Sequence, residues 1–219
     1  MTHAAPQTIY LADYTPPAYL IDTVHLTFQL APNATRVVSR IAFRPNPDAK
    51  SRDFFLHGEE LKLISAHIDG AAISPDVTER GLTCDVPDRP FVFEAEVEIA
   101  PAANTALEGL YMSNGMYCTQ CEAEGFRKIT YYPDRPDVMA VFTVKIESDL
   151  PVMLSNGNPL AAGQWHDPWP KPAYLFALVA GDLIAHPDTF TTMSGKSVEL
   201  NIYVRRGDED KCAFGMEAL

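Results

Sequence analysis

The segment FVFEAEVEI, Phe91 to Ile99, decides the fold class of this 219-residue chain. Its apolar side chains recur at every second position, and three glutamates fill positions between them, namely Glu94, Glu96 and Glu98. Successive side chains of a β-strand point to opposite faces of a sheet. The alternation therefore predicts an antiparallel strand with one buried face and one solvated, acidic face.

The same period of two recurs on the amino-terminal side of this segment. In residues 21–30, IDTVHLTFQL, the side chains predicted to share one face are Val24, Leu26, Phe28 and Leu30. In residues 35–44, TRVVSRIAFR, the apolar face carries Val37, Ile41 and Phe43. Further strands are predicted at 141–147, 152–154, 174–180 and 198–204, and residues 61–68 and 71–73 flank Asp69-Gly70 as a hairpin.

Turn residues and prolines separate these runs. The chain holds 18 prolines, which disfavour long helices because proline lacks a backbone donor and clashes with the preceding turn. Many short strands with regular turn signals predict an all-β fold of sandwich-like or saddle-like antiparallel sheets with few short helices. No internal repeat or low-complexity linker divides the chain.

Composition excludes several classes of function. The net charge of −12 arises from 29 acidic and 17 basic residues, without a basic cluster, so nucleic acid is not an expected partner. No run of about 18 apolar residues predicts a membrane span, so no membrane partner is expected. The amino terminus carries neither a basic head nor an apolar run of signal-peptide length, and we expect a cytoplasmic protein.

The cysteines and histidines provide no complete metal site. Cys118 and Cys121 form a lone C-x-x-C pair, and one pair cannot complete a tetrahedral zinc site. We expect ordinary reduced thiols at all four cysteines, including Cys84 and Cys212. No histidines have the spacing of a metal motif; the six are His3, His25, His57, His67, His166 and His186. His166 lies in QWHDPWPKP, which its Trp and Pro residues predict to be a loop.

Residues 107–137, LEGLYMSNGMYCTQCEAEGFRKITYYPDRPD, are dense in Gly, Tyr, Cys and acidic residues and fit neither a clean strand nor an amphipathic helix. Binding residues concentrate in such irregular segments. The candidate side chains here are Gln120, Glu122, Glu124, Tyr131, Tyr132, Asp134, Arg135 and Asp137. From the residues alone two interpretations stay open: a solvated acidic loop, or a pair of carboxylates at i and i+2 acting as general acid and base.

Three short motifs in this segment resemble the amino-terminal domain of the zinc aminopeptidase N family. They are Gly109-Leu110-Tyr111, then Thr119-Gln120-Cys121-Glu122, then Tyr132-Pro133-Asp134-Arg135-Pro136. The likeness is greatest to the bacterial alanyl-type enzymes, and it extends to PAANTALEGLYMS, GFRKITYYPDRPDV, MLSNGNPL and KPAYLFALVAGD. It covers most of the chain from about Tyr10 onward.

The resemblance implies a substrate-binding role for two residues. In that family a loop of the β domain carries a Gln-x-Glu signature into the cleft of a thermolysin-like catalytic domain, and the matching residues are Gln120 and Glu122. The glutamate is expected to bind the free α-amino group of a peptide through a charge-assisted hydrogen bond, with Gln120 lining the first subsite. The resemblance also implies a non-proline cis peptide bond at Glu122-Ala123.

The catalytic motifs of the family are absent from this sequence. The His-Glu-x-x-His zinc motif, the Gly-x-Met-Glu-Asn motif and the transition-state tyrosine do not occur. The resemblance thus implies a zinc aminopeptidase as the full-length parent, while this fragment holds no catalytic residue, no metal ligand and no cofactor. Its expected partners are a downstream catalytic domain of the same chain and the free amino termini of peptides.

Residues 1–207 are expected to form the β-rich amino-terminal domain, and residues 208–219 the truncated start of the first catalytic-domain helix. Acidic residues at 208–210 are typical of a first helical turn. Two alternatives from other classes remain: a non-catalytic interaction scaffold, and a free-standing β-sandwich module that binds a ligand.

Overall fold

A computed structural model describes Thr8 and residues 10–219 of the chain, so His3 lies outside the described residues. Strands dominate, as predicted. The strands, numbered along the chain, are β1 (Tyr19–Gln29), β2 (Thr35–Pro45), β3 (Phe55–His57), β4 (Lys62–Ile68), β5 (Ala71–Ala72), β6 (Asp76–Thr78), β7 (Gly81–Thr83), β8 (Phe91–Ile99), β9 (Gly109–Ser113), β10 (Met116–Gln120), β11 (Met139–Glu147), β12 (Val152–Ser155), β13 (Asn158–Ala161), β14 (Gln164–Pro172), β15 (Leu178–Gly181), β16 (Ile184–Thr191) and β17 (Ser197–Val204).

Helical structure is confined to short segments. The described residues include one α-helix, α1 (Ala213–Ala218), and five single-turn 3₁₀ helices at Leu11–Asp13, Pro101–Ala103, Phe126–Lys128, Ala173–Leu175 and Glu209–Lys211. The all-β prediction with few short helices is therefore confirmed.

The largest sheet has eight strands in the order β13-β14-β11-β1-β2-β8-β4-β5. Smaller sheets have the orders β12-β15-β10-β9, β3-β7-β6 and β16-β17. Pairing between named strands is antiparallel with one exception: β1 and β11 run parallel, from Thr23 opposite Val141 to Gln29 opposite Glu147. The predicted antiparallel sheets are present, and this one parallel pair arises because β11 fills the free edge of β1 after a long connection instead of a hairpin.

One face of the large sheet forms the core. The predicted apolar faces of β1, β2 and β8 are buried along their length, except that Leu30, just beyond β1, is half-buried. Buried rings from other segments cover this face, so that Phe28 stacks on Phe176 with ring centroids 6.0 Å apart. Burial of this apolar surface is the main driving force for the fold.

The opposite face is polar but not simply acidic. Arg36 of β2 bonds Glu96 at 2.8 Å and contacts Glu98 at 3.3 Å, and Arg40 lies 3.3 Å from Glu94. The three glutamates that alternate along β8 are thus neutralised by arginines of the neighbouring strand. Cross-strand pairs of this kind stabilise a sheet by a few tenths of a kcal/mol up to about 1 kcal/mol each.

Two local predictions were wrong. QWHDPWPKP is not a loop, because it forms strand β14, Gln164–Pro172. This strand pairs with β11 both before and after a break in the pairing register. Within 174–180 only the end is a strand: the chain first turns through the 3₁₀ helix Ala173–Leu175, and β15 begins at Leu178. The hairpin at Asp69-Gly70 is confirmed, with both residues at positive φ, 51° and 80°.

Candidate functional site

The segment 107–137 begins with a regular hairpin. Strands β9 and β10 pair from Gly109 opposite Gln120 to Ser113 opposite Met116. Asn114 and Gly115 connect them at φ values of 50° and 81°, the left-handed region that two-residue hairpin turns require. The expectation of an irregular segment is therefore wrong for 109–120, and the Asn-Gly pair was the signal that predicts it.

The chain becomes irregular immediately after β10. Gln120 is the last residue of the strand, and turns follow until the 3₁₀ helix Phe126–Lys128. We call residues 120–125 the Glu122 loop. The side-chain amide of Gln120 donates a hydrogen bond to the backbone carbonyl oxygen of Glu122 at 3.0 Å. The Glu122-Ala123 peptide bond is cis, as the resemblance implied.

The Glu122 carboxylate is exposed and unpartnered within the described part of the chain. Glu122, Ala123 and Glu124 are all exposed, whereas Cys121 and Gly125 on either side are buried. No hydrogen bond or ion pair to another described residue engages the carboxylate of Glu122. The loop therefore presents a free anionic group on a backbone that is held at both ends.

Close backbone contact holds the base of the loop. The Gly125 amide donates to the Cys121 carbonyl oxygen at 2.8 Å. A Cβ added to Gly125 would lie 2.3 Å from the Gln120 carbonyl oxygen and 2.9 Å from the Gly109 nitrogen. Only glycine fits this position, because the neighbours are backbone atoms that cannot rotate away.

Aromatic packing anchors the residues that follow the loop. Phe126 is fully buried, and its ring lies 5.0 Å from that of Tyr132, 5.3 Å from Phe176 and 6.0 Å from Phe142, measured between centroids. Tyr131 and Tyr132 are also buried, so these two candidates from the sequence belong to the core and not to a binding surface.

An arginine ties the loop to two other segments. Arg127 Nε and its backbone N donate to Asp134 Oδ2 at 3.1 and 3.2 Å, and Nη2 donates to the Asp134 carbonyl oxygen at 3.3 Å. Arg127 Nη1 contacts Glu124 at 3.2 Å and Glu59 at 3.6 Å. We call Arg127 and these three acidic residues the Arg127 cluster.

Burial of Asp134 and the positive charge of Arg127 shift the pKa of the Asp134 carboxyl in opposite directions. Its side chain is 3% exposed, and burial raises its pKa above the ordinary value, while the hydrogen bonds and charge of Arg127 lower it. The two hydrogen bonds that Arg127 donates to Oδ2 favour the ionised carboxylate. The Asp134 backbone N–H also donates to Nδ1 of His57 at 3.2 Å. Sequence reasoning did not single out Arg127 or His57, because no motif spacing marks the partner of a buried carboxylate.

The cysteines beside the loop are poor nucleophiles. Cys118 and Cys121 are free thiols, and burial raises both pKa values, that of Cys121 to about 12. The charge of Asp134 adds to the shift at Cys121. Burial, with a smaller contribution from Asp85, likewise raises the pKa of Cys84 to about 11. Thiols of this kind are protonated at neutral pH, and thiolate chemistry is disfavoured.

Arg135 and Asp137 lie outside the loop. Arg135 Nη2 bonds Asp137 Oδ2 at 2.6 Å, and the Tyr14 hydroxyl donates to the same carboxylate at 3.0 Å. These contacts attach the segment before β11 to the amino-terminal residues. They leave neither group free for a ligand at Glu122.

A cavity of about 260 Å³ adjoins the exposed side of the loop. Apolar atoms form most of its wall, and its lining residues are Glu122, Ala123, Glu124, Asp134, Pro136 and Tyr174. Glu124 and Asp134 are both engaged by Arg127, so Glu122 is the carboxylate of this lining without a cationic partner in the described chain. A mostly apolar cavity with one free anion suits a small cation with an apolar body.

The residues described here do not fit a zinc ion. Among Thr8 and residues 10–219, no three His, Cys, Asp or Glu side chains are grouped closely enough to hold a metal.

The profile of the Peptidase M1 N-terminal domain family matches residues 15–175, which is most of the chain. This chain belongs to the Peptidase M1 N-terminal domain family. The M1 amino-terminal domain is 47% identical to Aminopeptidase N of Caulobacter vibrioides and 48% identical to Aminopeptidase N of Escherichia coli, each over 98% of this chain. It spans 26% of the length of either relative.

A solved structure supports the same assignment. The M1 amino-terminal domain superposes on Legionella pneumophila aminopeptidase A, crystallised in complex with aspartic acid, with a TM-score of 0.86 and 33% identity. The match covers 94% of this chain and 26% of that one. In both comparisons the chain corresponds to about a quarter of a larger aminopeptidase. In the described part of the chain, no helix combines the length and the apolar character that crossing a membrane requires.

Proposed function

We propose that this chain is the amino-terminal domain of a longer zinc-dependent aminopeptidase and that Glu122 binds the α-amino group of the peptide substrate. Gln120 lines the first subsite and, through its bond to the Glu122 carbonyl oxygen, holds the loop. The observation that carries the proposal is the free, exposed carboxylate of Glu122 on a loop fixed by Gly125 and by Arg127.

The chemistry of this arrangement suits an exopeptidase. A terminal ammonium is a compact cation, and a fixed carboxylate bonds it more strongly than it bonds a neutral amide. A blocked or internal peptide would leave the carboxylate without its partner, and a site built for a bond rejects ligands that lack it. In this proposal zinc supplies Lewis-acid chemistry from the parent's catalytic domain, and the present chain contributes substrate orientation alone.

The proposal extends to the partners and compartment. Residues 1–207 are the domain proper, and residues 208–219 begin the first helix of a thermolysin-like catalytic domain on which the domain docks. Large apolar side chains exposed near this end support docking, with Phe190 55% and Phe214 82% exposed. Four free cysteines suit the reducing cytoplasm, where we place the protein.

The test is turnover of an aminoacyl chromogenic substrate by the full-length protein, wild type against Glu122→Ala. Removing one member of a desolvated charge pair costs about 2–5 kcal/mol, so kcat/KM is expected to fall roughly 30-fold to several thousand-fold. Glu79→Ala, which removes an exposed carboxylate at the turn between β6 and β7, outside the cavity lining, is the matched control and is expected to retain wild-type kcat/KM.

The outcomes separate the alternatives. An active wild type with an equally active Glu122→Ala variant would contradict the role of Glu122. An inactive wild type would favour the non-catalytic scaffold.

A further inference from the structure

Arg127 has an unusual surplus of acidic partners. Its side chain is 12% exposed, yet it contacts carboxylates from three segments: Glu59 after β3, Glu124 in the Glu122 loop, and Asp134 after Tyr132. Its Nε and backbone N satisfy the buried Asp134, and Nη1 faces the half-buried Glu59 and the exposed Glu124. One cation thus serves both a structural contact and a contact at the cavity.

Glu124 is the acidic neighbour that matters for a ligand. It lines the same cavity as Glu122, and 68% of its side chain is exposed. Without Arg127 the cavity would carry the free carboxylates of Glu122 and Glu124, two residues apart, and the buried Asp134 would also lose its cation. The field at the cavity would then favour ligands that bear a second positive charge.

We propose that Arg127 is a specificity-determining residue: by pairing with Glu124, it leaves Glu122 as the cavity's one unpaired carboxylate, which matches a substrate bearing a single positive charge. This inference rests on the proposed function, because it takes Glu122 as the group that binds the substrate ammonium. Arg127 acts through Glu124 and Asp134 and does not itself touch the substrate.

The pairing also restrains the loop. Glu124 lies two residues after Glu122, and its bond to Arg127 connects the exposed part of the loop to the buried Asp134. The other end of the loop is fixed at Gln120 by strand β10. Loss of Arg127 therefore changes both the charge at the cavity and the position of Glu122, and a charge readout is needed to separate the two effects.

The readout is the ratio of kcat/KM for a lysyl chromogenic substrate to that for an alanyl one, measured with the full-length protein. In Arg127→Gln the ratio is expected to rise by about two- to fivefold, since a partly exposed charge contact is worth up to roughly a factor of five. In the double variant Arg127→Gln/Glu124→Gln the ratio is expected to return to the wild-type value. A purely structural role of Arg127 would lower both rates together and would not be rescued by removing Glu124.

Glu124→Gln alone provides the measurement that does not depend on Arg127 for folding. The side chain is mostly exposed, so the variant is expected to fold as the wild type does, which its thermal unfolding midpoint verifies. Here Arg127 keeps its charge and loses its partner at the cavity, so the lysyl-to-alanyl ratio is expected to fall below that of the wild type.

Glu122→Gln separates failure of this inference from failure of the proposed function. Unchanged ratios in Arg127→Gln and Glu124→Gln, with activity lost in Glu122→Gln, would overturn the role of Arg127 and leave Glu122 as the ammonium site. Full activity of Glu122→Gln on both substrates would overturn the proposed function, and the inference on Arg127 with it. A raised ratio in Arg127→Gln that is rescued in the double variant supports both.

Discussion

Gly125 controls the geometry of the Glu122 loop through the space it leaves empty. Its φ of −79° is open to any residue, so the requirement for glycine is steric and not conformational. The missing Cβ is what lets the loop lie against the Gln120 carbonyl oxygen and the Gly109 nitrogen. A side chain of any size would push residues 120 and 125 apart and move Glu122 with them.

Gly125→Ala is accordingly expected to destabilise the domain by about 1–3 kcal/mol, the usual cost of overpacking a filled site. The measurement is the free energy of unfolding from urea denaturation followed by fluorescence. Gly181→Ala is the matched control, because an added Cβ there comes no closer than 3.1 Å to Met116 Cγ, a far milder approach than the 2.3 Å at Gly125. Equal stabilities of the two variants would show that the loop base is not tightly packed.

At the scale of elements, β3 and the segment before β11 are joined through His57. The backbone N of His57 bonds the Tyr132 carbonyl oxygen at 2.9 Å, and the Tyr132 N bonds the His57 carbonyl oxygen at 3.0 Å. The ring adds a third bond, in which Nδ1 accepts from the Asp134 N–H. Burial lowers the pKa of His57 and the charge of Arg127 adds to this, whereas Asp134, the Tyr132 backbone and Glu124 raise it.

A lowered folded-state pKa makes stability depend on pH in a defined direction. The unfolded chain takes up the His57 proton near pH 6.5, before the folded protein does. The contribution of neutral His57 is therefore complete above pH 6.5 and is lost as the pH falls through the lower, folded-state pKa. His57→Gln, which cannot titrate, is expected to lose less stability than the wild type between pH 7.5 and pH 5.

The measurement is the urea midpoint at these two pH values. His186→Gln on β16 serves as the control and is expected to keep the pH dependence of the wild type. An identical pH dependence in wild type and His57→Gln would contradict the assignment.

Strands in which apolar and polar side chains strictly alternate were predictable from the sequence. Elements whose conformation depends on neighbouring segments of the fold were not. β1, β2 and β8 each bury one apolar face against the core, so their own residues carry the signal. β14 was missed because prolines usually exclude a strand. Here Pro168, Trp169 and Pro170 fall in the irregularity between Asp167, opposite Phe142, and Lys171, opposite Ala140, where no ladder bond is lost.

The candidate site was predictable only in part. Gln120 and Glu122 came from a resemblance in sequence, and their binding role stays a prediction. The Arg127 cluster depends on residues up to 75 positions apart (Glu59 to Asp134) that only the folded chain brings together. The parallel pairing of β1 with β11 could not be predicted from the sequence either, because local hydrophobic patterns do not reveal which distant strand pairs with the free edge of β1.

At the scale of the whole molecule, the proposed function makes this chain one wall of a larger site. The purified 219-residue chain is expected to contain no stoichiometric zinc and to show no aminopeptidase turnover, because its described donors form no metal-binding group. Elemental analysis and a chromogenic assay test this, with the full-length protein as the positive control. One molar equivalent of zinc, or turnover above the blank, would place catalytic machinery within this chain.

The parallel pair β1–β11 also sets an order of events during synthesis. Gln29 and Glu147 meet at its end although they are 118 residues apart. At 5–20 residues per second the ribosome needs roughly 5 to 25 s to make the intervening chain. Throughout that interval one edge of β1 has no strand to pair with, while β2 can already cover the other. The Glu122 loop emerges before β11, so it leaves the ribosome ahead of the strand that completes the large sheet.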